Sequence, residues 1–214
     1  SFTLNGDGSY SFDPGGDFED LAVGETRTTS ITYTVSDGEG GTDTATLTIT
    51  VTGVNDAPVT EGTLAPQTSE DADSVVSVDV TGAFSDVDGS DVLTYTATGL
   101  PQGLTLDLNT GVISGTIDNS ASQSSTSGNP AGTYTVVVTA DDGHGGTVTQ
   151  TFTWTVTNPA PEALDDPNTT NEDTLLTVTA ADGVLGNDSD QDGDDLSVSE
   201  VNGQSANVGA AVLG

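Results

Sequence analysis

The chain has 214 residues, 34 acidic side chains, one basic side chain and a formal net charge of −33. Arg27 is that one cation, which excludes nucleic acid and anionic membrane surfaces as partners, because both need Lys or Arg against their phosphates. Cysteine and lysine are absent, so neither disulfides nor Lys–Asn crosslinks staple the fold, and no run of about 18 apolar residues is present to enter a membrane as a helix.

High charge with a hydrophobic fraction of 32% is a compositional mark of disorder. The patterning opposes it. Thr- and Val-rich alternating runs recur along the chain, and the acids sit in the turns between them. Such acid clusters repel one another unless counter-ions bind, and divalent cations relieve that repulsion with few ions. Cation sites are therefore the remaining candidate staples.

In chain order, residues 2–12 read as a hairpin about the turn Asn5–Gly8. A Pro/Gly/Asp loop covers 13–24. Thr28–Val35 and Thr42–Thr52 alternate Thr with aliphatics, as half-buried antiparallel strands do, and are joined by Asp37–Gly41. Gly53–Pro58 reads as a linker. Strands are expected over 59–65, 75–80, 92–98, 104–106, 112–117, 133–140 and 147–157, with a tight turn at Asp107–Gly111 and a polar, mobile loop over 118–132. The core positions expected are Val76, Val78, Leu93, Tyr95, Val136, Val138 and Trp154. Asn158–Pro161 is a second linker. Beyond it only Ala180–Leu185 offers a helical turn. Seven short strands in about 100 residues predict an Ig-like sandwich.

The chain repeats internally. Val35–Thr42 matches Ala140–Thr147 at an offset of 105 (142 − 37). Glu70-Asp71 matches Glu172-Asp173, and Asp86–Gly89 matches Asp190–Gly193. Residues 1–53 hold only the later strands of a module and residues 162–214 only the early ones. Read tail to head they form one continuous repeat, so the sequence reads as a two-module period cut within one module.

Two loops carry the chemistry. Phe84–Asp91 holds three carboxylates in a short Gly- and Ser-containing loop, and Ser189–Asp195 is its second copy. Hard cations take several oxygen ligands at about 2.3–2.6 Å, which tight acidic loops supply. In a seven-strand sandwich the second-to-third-strand loop and the last hairpin share one end. That places Asp86, Asp88 and Asp142 beside the linker residues Asn55 and Asp56. Solvated acidic turns are the plainer reading, but both copies converge on linkers, which favours calcium.

The segment Leu93–Thr116 is similar to a dystroglycan-type cadherin-like module. Asn5–Phe12, Val54–Pro58 and Leu185–Asp194 resemble the halves of a VCBS-type repeat. Together these stretches resemble the bacterial cadherin-like repeats of RTX-type surface adhesins. The second linker departs from the pattern, since Asn158–Pro161 lacks the Asp of Asn55–Pro58. The resemblance implies Ca2+-rigidified, secreted arrays and a Glu ligand from the bottom of the upstream module. At the first joint that Glu would be Glu172 of a preceding copy. The second joint would use Glu70, Asn158, Asp190 and Asp192, with Asp37 arriving from the half-module that completes the fold.

His144 is the only histidine and reads as a turn residue, since Glu39 occupies its repeat position. A Ser–His–Asp site would need it, and no nucleophile motif accompanies it. The acid pairs sit in turns at linkers rather than in a cleft, which argues against glycoside hydrolysis. Trp154 lies on an alternating strand and reads as core. The expectation is thus an all-β, non-enzymatic chain of tandem Ig-like/cadherin-like β-sandwich modules joined by calcium-binding linkers. Its parts are 1–53 (C-terminal half-module), 54–58 (linker), 59–157 (complete module), 158–161 (linker) and 162–214 (N-terminal half-module, complementary to 1–53 of the next copy). Its role would be a stiff extracellular extender in adhesion, fibre or biofilm matrix, partnered by adjacent copies. A glycan- or peptide-binding module, acting through the 118–132 loop, is the alternative.

Overall fold

The computed structural model describes residues 1–210, and of Val75 and Val76 the backbone. The core expectation at Val76 and the last four positions of the 162–214 segment lie outside the described residues. Among the described residues thirteen strands form in alternation with turns: β1 (Phe2–Leu4), β2 (Tyr10–Phe12), β3 (Thr26–Ser36), β4 (Thr42–Thr52), β5 (Val59–Thr60), β6 (Gln67–Glu70), β7 (Ser74–Asp79), β8 (Phe84–Ser85), β9 (Thr94–Thr98), β10 (Leu104–Leu106), β11 (Val112–Thr116), β12 (Thr133–Asp141) and β13 (Thr147–Thr157). No α-helix occurs among the described residues; Ala180–Asp182 makes a single 3-10 turn.

Residues 59–157 build a two-layer sandwich. One sheet has the order β6-β13-β12-β9 and the other β10-β11-β7, with β5 paired to β8 at the rim. Alternation in β12 and β13 sends Tyr134, Val136, Val138 and Ala140, with Phe152, Trp154 and Val156, into the space between the sheets, where Ile113, Leu104 and Val80 meet them. Val78 and Leu93 pack against this cluster from its edge. Trp154 is 1% exposed and donates its indole N–H to Ser69 Oγ at 3.2 Å, so it is core, as the alternation predicts.

Two elements differ from the expectation. The first strand is broken: only Val59–Thr60 and Gln67–Glu70 pair, and β6 runs parallel to β13 with Glu70 opposite Thr157. Pro66 cannot donate a ladder hydrogen bond, and Gln150 holds the unpaired stretch by bonding Leu64 N, Gly62 O and Ala83 O. The 118–132 loop is also tied down rather than free. Ala121 is buried, its carbonyl accepts the Tyr134 hydroxyl at 2.6 Å, and Ser122 N donates to Asp71 Oδ1 at 2.8 Å.

In residues 1–53, β3 and β4 form a hairpin of 11 residues a side, and β1–β2 form a shorter one. Arg27 clamps Asp20 through both guanidinium nitrogens, at 3.0 and 2.6 Å, and lies over the Phe18 ring. Leu21 and Ala22 are buried against Gly53, where any side chain would strike their carbonyls, so glycine is required at the exit of β4.

Residues 162–210 carry only isolated bridges, Glu162 with Ser189 and Val201 with Gln204. The early strands expected there do not form among the described residues. Their apolar side chains have no second sheet to pack on, and residues 160–182 are all exposed.

Candidate metal centre

Three segments converge at the first joint. The β8–β9 loop presents Asp86, Asp88 and Asp91, the β12–β13 turn presents Asp142, and the linker presents Asn55 and Asp56. The loop folds as an Asx turn, with Asp88 N donating to Asp86 Oδ1 at 3.0 Å. Asp56 N donates to Asp88 Oδ2 at 2.9 Å, and Asn55 Nδ2 donates to Asp142 Oδ2 at 3.0 Å. Asp142 Oδ1 accepts the N–H groups of His144 and Gly146, at 2.7 and 3.0 Å. These donors, led by the Asn55 amide, hold the Asp142 carboxyl below its ordinary value.

Ligand oxygens of Asp86, Asp91 and Asp142 lie within 4.8 Å of one another, and this is the one such acidic group among the described residues. Two oxygens on one calcium ion stand no more than about twice 2.4 Å apart, so the spacing suits a shared hard cation. Three further observations fit. Asn55 Oδ1, Asp86 Oδ2 and Asp88 Oδ1 are buried without a hydrogen-bond partner, and Asp88 is only 2% exposed. A buried oxygen left unpaired is costly, and a cation is one partner that would relieve it. Asp91 belongs to this group in addition to the predicted Asp86 and Asp142, whereas the predicted Asp88 and Asp56 are not part of it. The position of Asp91 two residues past Gly89 was the available signal. His144 Nδ1 lies 3.0 Å from Asp91 Oδ2, at the rim of the site and within the turn expected for it.

The second joint is looser. Asp190 and Asp192 repeat the Asx turn, with Asp192 N donating to Asp190 Oδ1 at 3.1 Å, and Asn119 Nδ2 reaches Asp192 O at 3.3 Å. The Asp190 carboxyl beside it, with burial adding, pushes Asp192 up to about 6, while Asp190 itself is lowered. Asp192 Oδ2 and Asp71 Oδ2 are buried and unpartnered. Asp71, fully buried, follows β6, whose last residue Glu70 is exposed. Asn158 Nδ2 bonds Pro159 O. Glu172 is exposed. Asp37 caps the β3–β4 turn as Asp142 caps β12–β13, accepting Glu39 N at 2.8 Å and Gly41 N at 2.9 Å, without a linker amide on its other oxygen.

Three family models match the chain: a putative Ig domain over residues 57–157, a bacterial cadherin-like domain over 1–53 and a cadherin-like domain over 157–213. The chain resembles bacterial cadherin-like and Ig-like repeats. No curated protein matches it. Among solved structures, human mucin-like protocadherin EC1-2 is 18% identical with a TM-score of 0.50, over 74% of this chain and 78% of that one. That likeness supports the Ig-like/cadherin β-sandwich fold. Drosophila N-cadherin EC1-4 is 13% identical with a TM-score of 0.35, over 64% of this chain and 34% of that one. A putative α-galactosidase/melibiase from Bacteroides fragilis is 23% identical with a TM-score of 0.33, over 46% of this chain; the match spans 17% of that protein's length. Cadherin-like domains are extracellular, occur in tandem, generally bind calcium and are typically non-catalytic. No helix among the described residues is long and apolar enough to cross a membrane.

Proposed function

We propose that this chain is a structural repeat unit of an extracellular adhesin or fibre, stiffened by Ca2+ at its joints and serving cell adhesion or biofilm matrix as an extender. The observation that carries this reading is the first joint: loop and hairpin turn bring Asp86, Asp91 and Asp142 together, Asn55 of the linker bonds Asp142, and Asn55 Oδ1 and Asp88 Oδ1 are buried without a partner. An ion there would bridge the linker to the sandwich and remove the hinge between them. The RTX-type assignment rests on the resemblance of the repeats. Residues 1–53 and 162–214 are read as half-modules that neighbouring copies complete, either along one tandem chain or between subunits that propagate head to tail. The alternative role of glycan or peptide recognition lacks a stacking platform at Trp154, which is buried.

Calorimetry with calcium and with chelator tests the proposal. Ligands that bind only the folded state raise the melting temperature by mass action. Chelation is expected to lower it, and superimposable melting curves would remove the structural role for calcium.

A further inference from the structure

We infer that residues 196–201 of a second copy of this chain add an antiparallel strand to the free edge of β3, with Val198 opposite Val35 and Ser199 opposite Thr34. This rests on the reading that neighbouring copies complete the half-modules, and it names the strand and its register.

The complete module supplies the template. Each pair of the β12–β13 ladder from Thr133↔Thr155 to Asp141↔Thr147 recurs 105 positions earlier in β3–β4, from Thr28↔Thr50 to Ser36↔Thr42. The hairpins before them also correspond, since five residues separate β1 from β2 and five separate β10 from β11. Residues 1–53 therefore hold the counterparts of the last four strands. In the complete module the other edge of β12 is covered by β9, with Ala140 opposite Tyr95 and Thr139 opposite Thr96. Shifted back by 105, those β12 positions are Val35 and Thr34. Among the described residues β3 pairs with β4 alone, so the equivalent edge is open.

Residues 162–210 hold the counterpart of β9. β9 follows the Asp86–Gly89 loop, and residues 196–201 follow its copy, Asp190–Gly193. Leu93, Tyr95 and Ala97 alternate toward the core, and Leu196 and Val198 repeat that apolar alternation with Ser197 and Ser199 between them. A one-residue slip would turn Leu196 and Val198 to solvent, so the alternation sets Val198 in the place of Tyr95. That puts Val198 against Val35.

The faces await such a partner. Val35 is 57% exposed and lines, with Leu4, Tyr10, Tyr33 and Leu47, an open cleft of about 420 Å³. At the other end of the chain Leu175 is 89% exposed, and Val198 has no strand partner among the described residues. Each half thus offers apolar surface that the other half's strands would cover, and an extended segment joining an open sheet edge is an established mode of association.

Disulfide trapping tests the register, since the chain has no cysteine of its own. A T34C chain is mixed with an S199C chain in calcium and oxidised. A T32C chain with S199C is the control, two residues out of register. Opposed Cα atoms lie about 4.5–5.5 Å apart and bridging fails beyond about 7 Å, so at least about tenfold more linked dimer is expected from T34C than from T32C. Equal yields, or no T34C–S199C dimer, would overturn the pairing. A chain carrying both substitutions that links to itself as a monomer at high dilution would overturn the second copy as the donor. The calcium reading is scored separately, by the melting shift of the unaltered chain on chelation. A missing crosslink with that shift intact discards this pairing alone; a crosslink without the shift keeps it and discards the calcium joint.

Discussion

Asn55 and Asp142 stand 87 positions apart and meet side chain to side chain, Asn55 Nδ2 donating to Asp142 Oδ2 at 3.0 Å. The contact fastens the linker to the turn of the last hairpin. It also leaves Asn55 Oδ1 buried and unpartnered. One amide thus steadies the joint and offers it an oxygen.

Replacing Asn55 by Ala separates these roles. The Asp142 carboxyl should titrate closer to its ordinary value, because its first stabilising donor is gone. Calcium titration by calorimetry should show affinity at the first joint falling by about tenfold or more, as loss of an oxygen ligand and of a ligand's orienting partner demands. Unchanged affinity would show that Asn55 only braces the linker.

Gly146 offers a steric test of the same site. A Cβ there would meet Asp142 Oδ2 and would stand 2.8 Å from the Ala57 Cα. The backbone of the linker cannot yield as a flexible side chain can. Gly146→Ala should therefore displace Asp142, weaken calcium binding and lower the melting temperature. At Gly41, the repeat counterpart, a Cβ meets only the Asp37 carboxylate, which is exposed and free to turn. Gly41→Ala should be close to neutral in the same melting assay.

Much of this was legible in the sequence, and the misses have physical causes. Period-two alternation located β3, β4, β12 and β13 to within a residue or two, because each alternates polar with apolar side chains, and in β12 and β13 the apolar face meets the core. β6 was missed: Gln67–Glu70 is four polar residues, and its strand character comes from lying parallel to β13 rather than from its own pattern. At the first joint, Asp-x-Asp-Gly spacing marks the loop, while the approach of Asp91 to Asp142 depends on how the loop closes, which the spacing does not show. Asp71 is buried just past β6 while Glu70 is exposed, a difference that the polar run Gln67–Glu70 does not disclose.

Acid sensitivity should be visible at a site remote from the joints. Asp107 Oδ1 accepts Thr110 N at 2.8 Å, Thr110 Oγ1 at 3.0 Å and Asn109 N at 3.0 Å in the β10–β11 turn. The Thr110 N–H leads the effect that lowers its carboxyl from the ordinary 3.8. A depressed folded value means the stabilisation is present in full above 3.8 and is lost as pH falls through the lower folded value. Asp107→Ala should melt earlier than the parent at neutral pH. The two melting curves should converge as the pH is taken below 3.8; a constant gap would mean the carboxylate's charge is not what holds the turn.

The joints and the core should fail independently. Asp86 and Asp88 sit in the β8–β9 loop, and the sandwich is held by Ile113, Val136, Val138 and Trp154 between the sheets. Replacing both acids by Ala is expected to abolish calcium binding at the first joint and to leave the far-ultraviolet β-sheet signal and a cooperative transition in place. The transition should sit near that of the chelated parent, because the stabilisation lost is the ion's. Ile113→Ala is expected to act in reverse. It removes a fully buried side chain at the centre of the core and should cost about 2–5 kcal/mol in denaturant unfolding, with the first joint still binding calcium while the module stays folded. Loss of all β-structure in the double acid variant, at saturating calcium, would show that the loop carries the fold as well as the ion.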